Sequence, residues 1–64
     1  MTLTKRQLEL LQRIADGETP KGIAEQEGKY LSTIEITLQR ARRALGVHTT
    51  VHAVAAAMRK EWIE

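Results

Sequence analysis

Residues 20–45 read PKGIAEQEGKYLSTIEITLQRARRAL, and this stretch decides the fold. It divides at Gly28. Before the glycine, Thr19 supplies an N-cap and Pro20 takes the first helical position, where a missing N–H costs nothing. Ile23 and Ala24 are the clear core candidates of this short helix. After the glycine, Leu31, Ile34, Leu38, Ala41 and Leu45 recur at helical spacing and predict a helix over 31–45 with one apolar seam. At about 100° per residue, Ile36, Arg40 and Arg43 lie opposite that seam, flanked by Ser32, Thr33 and Gln39. Ile36 is the informative member, because the core does not need an apolar side chain there.

Outward from this pair, two more helices are expected. Thr4 and Gln7 have the spacing of a capping box, and Leu3 and Leu8 that of a hydrophobic staple. Leu8, Leu11 and Ala15 then share a face, flanked by Leu10 and Ile14, and Asp16-Gly17 ends the helix. On the C-terminal side, Thr49 or Thr50 caps a helix running toward Trp62. Val51, Val54, Ala55, Met58 and Trp62 make its stripe. Ala53, Ala56 and Ala57 make a second surface, where another backbone can come close. Gly17, Gly28 and Gly46 each follow a helical stretch, the usual place for a left-handed residue. No run alternates as a strand does. The expectation is one all-α domain over 1–64, with helices near 5–16, 20–27, 31–45 and 50–62.

Composition narrows the function. A 64-residue chain buries only about 60% of its unfolded surface, so a second subunit is an attractive source of further core. It has no Cys, which removes disulfides and zinc fingers and fits a cytoplasmic setting. The longest apolar run, Ala53–Met58, is far short of the about 20 residues a bilayer needs, and the N-terminus has no signal-peptide pattern. Ten Lys+Arg against eight Asp+Glu leave a net charge of +2. Residues 1–30 are balanced, so the excess lies in the second half, where Arg40, Arg42 and Arg43 cluster.

A helix, a tight turn and a longer helix with arginines on its outer side make the pattern of a helix-turn-helix DNA binder. Arg40 and Arg43 offer bidentate donors to guanine edges or phosphate, Gln39 suits adenine, and Ile36 suits a thymine methyl. Thr19, Lys21 and the N–H groups opening the second helix suit a phosphate. The chain resembles the LuxR/GerE-type helix-turn-helix family through Leu3-Thr4-x-Arg6-x-x-Glu9-x-Leu11, Ala15-x-Gly17, Ile23-Ala24, Thr33-Ile34, Leu45-Gly46-Val47 and Ala53-Val54. These pieces stand in the family's order and spacing over nearly the whole chain. The resemblance implies a third helix in the major groove, base-reading positions at Glu35, Ile36 and Gln39, and a fourth helix that pairs two subunits. Thr33-Ile34 and Leu38-Gln39-Arg40-Ala41-Arg42-Arg43-x-Leu45 also look like sigma factor region 4, but the segment from Gly46 onward fits the LuxR/GerE type better.

The departures fall around the turn and on the reading helix. Glu27 and Lys29 stand where the family has apolar residues, and Tyr30 where it has a Ser cap. Leu31 is expected to supply the missing apolar contact and Ser32 to cap a later helix start. Glu27 is either exposed by a shifted turn or paired with Lys29 or an arginine. Glu35 replaces a basic residue; it either accepts from a cytosine amino group or repels non-target DNA. Thr37 replaces a His and Thr50 an Arg. Arg42, nearer the seam, suits an intramolecular salt bridge.

The expected function is a sequence-specific transcriptional regulator, a dimeric repressor or autoregulator on double-stranded DNA with two-fold-related half-sites. Base contacts fall to Glu35, Ile36, Gln39 and Arg40, and phosphate contacts to Thr19, Lys21, Thr33 and Arg43. The homodimer interface falls to Ala53, Ala56, Ala57 and Lys60. No cofactor, metal, membrane or small-molecule ligand is implied: His48 and His52 have no third ligand near them in sequence. Nor is an enzyme, because no nucleophile–base set or phosphate loop is present. The alternative is a protein-binding adaptor that turns the same fold toward another regulator.

Overall fold

The computed structural model describes residues 3–64 and contains four helices. They are α1 (Lys5–Ala15), α2 (Pro20–Glu27), α3 (Leu31–Leu45) and α4 (Thr50–Arg59). Among the described residues there is no strand. The starts follow the expected chemistry. Thr4 Oγ1 accepts from the Gln7 N–H at 3.1 Å, and the Gln7 side chain accepts from the Thr4 N–H at 2.9 Å. Thr19 caps α2 through the Gly22 N–H, with Pro20 in the first turn. Thr49, rather than Thr50, caps α4 through the His52 N–H.

The ends obey the glycines. Gly28 and Gly46 sit at φ 64° and 70° as the caps of α2 and α3, a region in which a Cβ is strained. α1 ends at Ala15, with Asp16 as its cap. α4 corrects the expected 50–62. It stops at Arg59, and Glu61 takes a left-handed turn at φ 60°. The Trp62 N–H then donates to the Ala57 carbonyl at 3.0 Å, which closes the helix end. A continuing helix would carry Ile63 away, whereas the turn folds it back into the core, 7% exposed.

α3 is the centre of the packing: it lies against α1, α2 and α4, and α4 also lies against α1. Leu10 and Leu11 of α1, Ile23 of α2, and Ile34 and Leu38 of α3 are the largest fully buried side chains. Each such burial contributes about 1.5–3 kcal/mol. Ala24, Ala41, Ala53 and Ala57 are buried among them. Small side chains at these places let helix backbones approach closely.

The core face of α4 departs in part from the sequence expectation, although Val54 and Trp62 of the expected stripe do pack against the core. Ala53 and Ala57, expected at a dimer interface, are fully buried within the single chain and have no surface to offer a partner. Ala56 is partly exposed. Val51 and Met58, expected inside, are 79% and 41% exposed. Both stripes have helical spacing, and the smaller one won because α3 and α1 crowd that side.

α1 and α2 are tied by charge. Glu27, at the end of α2, receives Nη1 of Arg6 at 3.1 Å and Nη1 of Arg13 at 2.9 Å, both from α1. Arg6 also pairs with Glu9, and Lys29 Nζ stands 3.7 Å from Glu27. Arg13 grips Glu18 with Nε and Nη2 at 2.9 and 2.7 Å, which fastens the loop between the helices. So Glu27 is paired with arginines, one of the two outcomes expected for it. The hydrogen bond from Arg6 holds the Glu27 carboxyl below its ordinary range, and Arg13 does the same for Glu18.

A depressed carboxyl stabilises the fold above its unfolded pKa, and that stabilisation is lost as pH falls through the folded value. Glu27→Gln is thus expected to lower the melting temperature at pH 7. The gap from wild type should close as pH drops below the carboxylate range. Thermal unfolding followed by circular dichroism at pH 7 and pH 3 checks this; an equal gap at both would refute it.

Candidate nucleic-acid interface

α3 separates two kinds of residue. Ile34, Leu38 and Ala41 face inward at 2% exposure or less. Ser32, Ile36, Gln39 and Arg43 follow one another up the opposite side, and all are exposed, as are Arg40, Glu35 and Thr33 on the flanks. Ile36 is 47% exposed, an aliphatic side chain in water on a helix otherwise polar on that side. No described residue forms a hydrogen bond or ion pair with the side chains of Glu35, Gln39, Arg40 or Arg43. Their donors and acceptors are left for a ligand.

This freedom contrasts with the N-terminal half, where Arg6 and Arg13 are both consumed by acids. Arg42 is the exception on α3. Its Nη1 donates to Thr50 Oγ1 at 2.9 Å, so it joins α3 to the start of α4. The partner is a hydroxyl and not the acid expected for a salt bridge. Thr50 occupies the place at which the family resemblance expects an arginine, and here it acts as an acceptor for one. The Thr37 hydroxyl donates to the Thr33 carbonyl at 3.0 Å, within the helix.

The turn before α3 also differs from expectation. α3 begins at Leu31, in keeping with the span 31–45, so Ser32 lies inside the helix and caps no later start. Tyr30 is in the N-cap position and makes no side-chain cap, and the residue is 83% exposed. Leu31, expected in the core seam, is 39% exposed. A short α2, stopped by Gly28, leaves both residues outside the packed cluster. The apolar contact that they do not make is replaced by the Glu27 ion pairs.

The other expected contacts are scattered. Thr19 and Lys21 are exposed at the first turn of α2, separate in the chain from the α3 group. Just past α4, Lys60 Nζ lies 5.2 Å from the Trp62 ring centre, covering a half-buried aromatic. A groove lined by α1 and by Trp62 and Ile63 takes no residue from α3. Among the described residues, no group of three or more His, Cys, Asp or Glu could hold a metal ion. No helix among them is long and apolar enough to cross a membrane.

Sequence reasoning missed the exposed Val51 and Met58. Their i, i+7 spacing, with Ala55 between, was visible; which of two stripes faces inward was not. No curated protein matches the chain. The family model for bacterial regulatory proteins of the luxR family matches residues 1–57. With four helices, a free arginine-bearing third helix and a match over most of its length, the chain belongs to the luxR family of bacterial regulatory proteins, a family of helix-turn-helix DNA-binding transcription regulators.

Proposed function

We propose that this chain is a sequence-specific transcriptional regulator that inserts α3 into the major groove and acts as a homodimer on two-fold-related half-sites. The observation that carries the reading is the outer side of α3: Ile36, Gln39, Arg40 and Arg43 are exposed, unengaged by the fold, and held on a helix whose other side is locked. Arg40 then serves guanine, Gln39 adenine and Ile36 a thymine methyl, with Glu35 beside them. Arg43, Thr33, Thr19 and Lys21 hold phosphates and set the register. The protein works in the cytoplasm.

Dimerisation is assigned to α4, on a face different from that of the alanines. Val51, Ala55 and Met58 stand one helical turn apart on its outer side, an apolar stripe without charge. A second copy presents the same stripe, so a two-fold axis covers both. Half-sites one DNA turn apart place reading helices about 34 Å apart. The body measures 30 × 20 × 19 Å, a size comparable with that spacing. In this domain one side is given to DNA and another to the partner, an arrangement that occupies a site and supports a repressor or autoregulator.

Arg40→Ala with Arg43→Ala is expected to weaken binding to the chain's own upstream DNA at least tenfold in a mobility-shift assay, and to relieve repression of a reporter. The log–log salt slope should fall by about 0.9 for each phosphate that is no longer neutralised. Unchanged binding would remove α3 from the groove. Wild type bound to no duplex even at low salt would favour the protein-binding adaptor.

Ile36→Ala should change sequence preference more than affinity for random DNA, because a methyl contact reads a base while phosphate contacts do not. Equal loss on every duplex would refute that role.

Val51→Glu with Met58→Glu should shift sedimentation from dimer to monomer and abolish joint occupancy of two half-sites. Helical content should be kept, since both positions are exposed. A dimer that survives the pair of acids would place the interface elsewhere.

A further inference from the structure

We propose that Glu35 is the residue that sets cytosine specificity in the half-site, by accepting a hydrogen bond from a cytosine N4 amino group. The proposal rests on the reading of α3 as the groove helix and adds to it the identity of one base pair. Glu35 is the only carboxylate on α3, and it is exposed. Glu9, Glu18 and Glu27 are each consumed by arginines, whereas no described residue pairs with Glu35. Arg42, which shares its flank of the helix, is occupied with Thr50.

An unpaired carboxylate carried into a groove between phosphates loses water and meets only negative charge, unless a base edge donates to it. In the major groove, cytosine and adenine both offer a donor amino group, but adenine sets its N7 acceptor beside it, which opposes a carboxylate and leaves cytosine as the base suited to Glu; guanine offers acceptors alone. Glu35 therefore selects in two ways: it accepts from cytosine, and it opposes any register that puts guanine N7 and O6 before it. It also lowers the affinity of the arginine-bearing helix for arbitrary DNA. The position is adjacent to Ile36, and the helix rises about 1.5 Å per residue against about 3.4 Å per base step. The cytosine should thus fall within about two base pairs of the thymine read by Ile36.

The test is selection from a random duplex pool with wild type, Glu35→Ala and Glu35→Gln, followed by dissociation constants on duplexes changed one base pair at a time. Circular dichroism confirms that the variants fold, as expected for an exposed side chain without partners. Wild type should select a cytosine at one position and lose about tenfold or more when it is replaced. Glu35→Ala should lose that preference alone, keep every other position, and bind random duplex at least as tightly as wild type. Glu35→Gln should relax the position or move it toward adenine. Superimposable base preferences for wild type and Glu35→Ala would overturn the proposal while leaving α3 in the groove. An equal loss on all duplexes would likewise overturn it. Failure of wild type to bind any duplex at low salt would instead overturn the DNA reading, and this assignment with it.

Discussion

Everything in this small protein hangs on the inward stripe of α3. Ile34, Leu38 and Ala41 are at most 2% exposed, and the helix that carries them touches each of the other three. The chain has no Phe, one Trp and one Tyr. A core so poor in aromatics gains its density from Leu and Ile set between helices spaced by alanine. Ala41, Ala53 and Ala57 are fully buried for that reason. Enlarging any of them would force the backbones apart, and over-packing of this kind costs about 1–3 kcal/mol. The locked inner side is what makes the outer side useful. Hydrogen-bond donors must be held rigidly to discriminate base edges, and three helices hold α3 along its inner side.

The second constraint is the place of α2. Its short length and early glycine leave Tyr30 and Leu31 outside, so apolar contact across the turn is scarce. Glu27 supplies the link by charge, drawing Arg6 and Arg13 of α1 onto one carboxylate. Exposed ion pairs are individually weak. Here the pairs are partly buried, share one acceptor and are reinforced by the two-pronged Arg13–Glu18 contact. A shared acceptor restricts direction as well as distance, which suits a joint that must fix the angle between two helices. The same acid that looked out of place in the sequence is the hinge pin of the turn.

How much of this was legible depends on what kind of force decides each feature. Caps and glycine stops are local, and Thr4 with Gln7, Thr19 with Pro20, Gly28 and Gly46 all behave as their side-chain chemistry dictates. The outward side of α3 was legible too, because one clean apolar seam leaves a single choice of orientation. α4 was not. Val51, Ala55 and Met58 satisfy a helical period as well as Ala53 and Ala57 do, and hydrophobicity alone ranks the wrong stripe higher. Only the space left by α3 and α1 decides between them. The end of α4 was likewise hidden, since Glu61 adopts a left-handed turn without glycine so that Ile63 can return. A tertiary demand overrode a local preference at both places.

The charge balance shows why position matters more than sum. A net charge of +2 is too small to steer a polyanion by itself. Yet the arginines of α1 are closed into pairs with Glu9, Glu18 and Glu27, and their fields largely cancel within a few ångströms. Arg40 and Arg43 have no such partners, so their fields reach solvent, with Glu35 the single opposing charge on that helix. Screening at physiological salt acts over about 8 Å, a distance short enough that a ligand meets the face it approaches rather than the molecule's total. A polyanion approaching Arg6 and Arg13 of α1 meets neutralised pairs; one approaching α3 meets free guanidinium groups. The attraction is therefore directional even though the net charge is slight, and the internal ion pairs that stabilise the scaffold also point it.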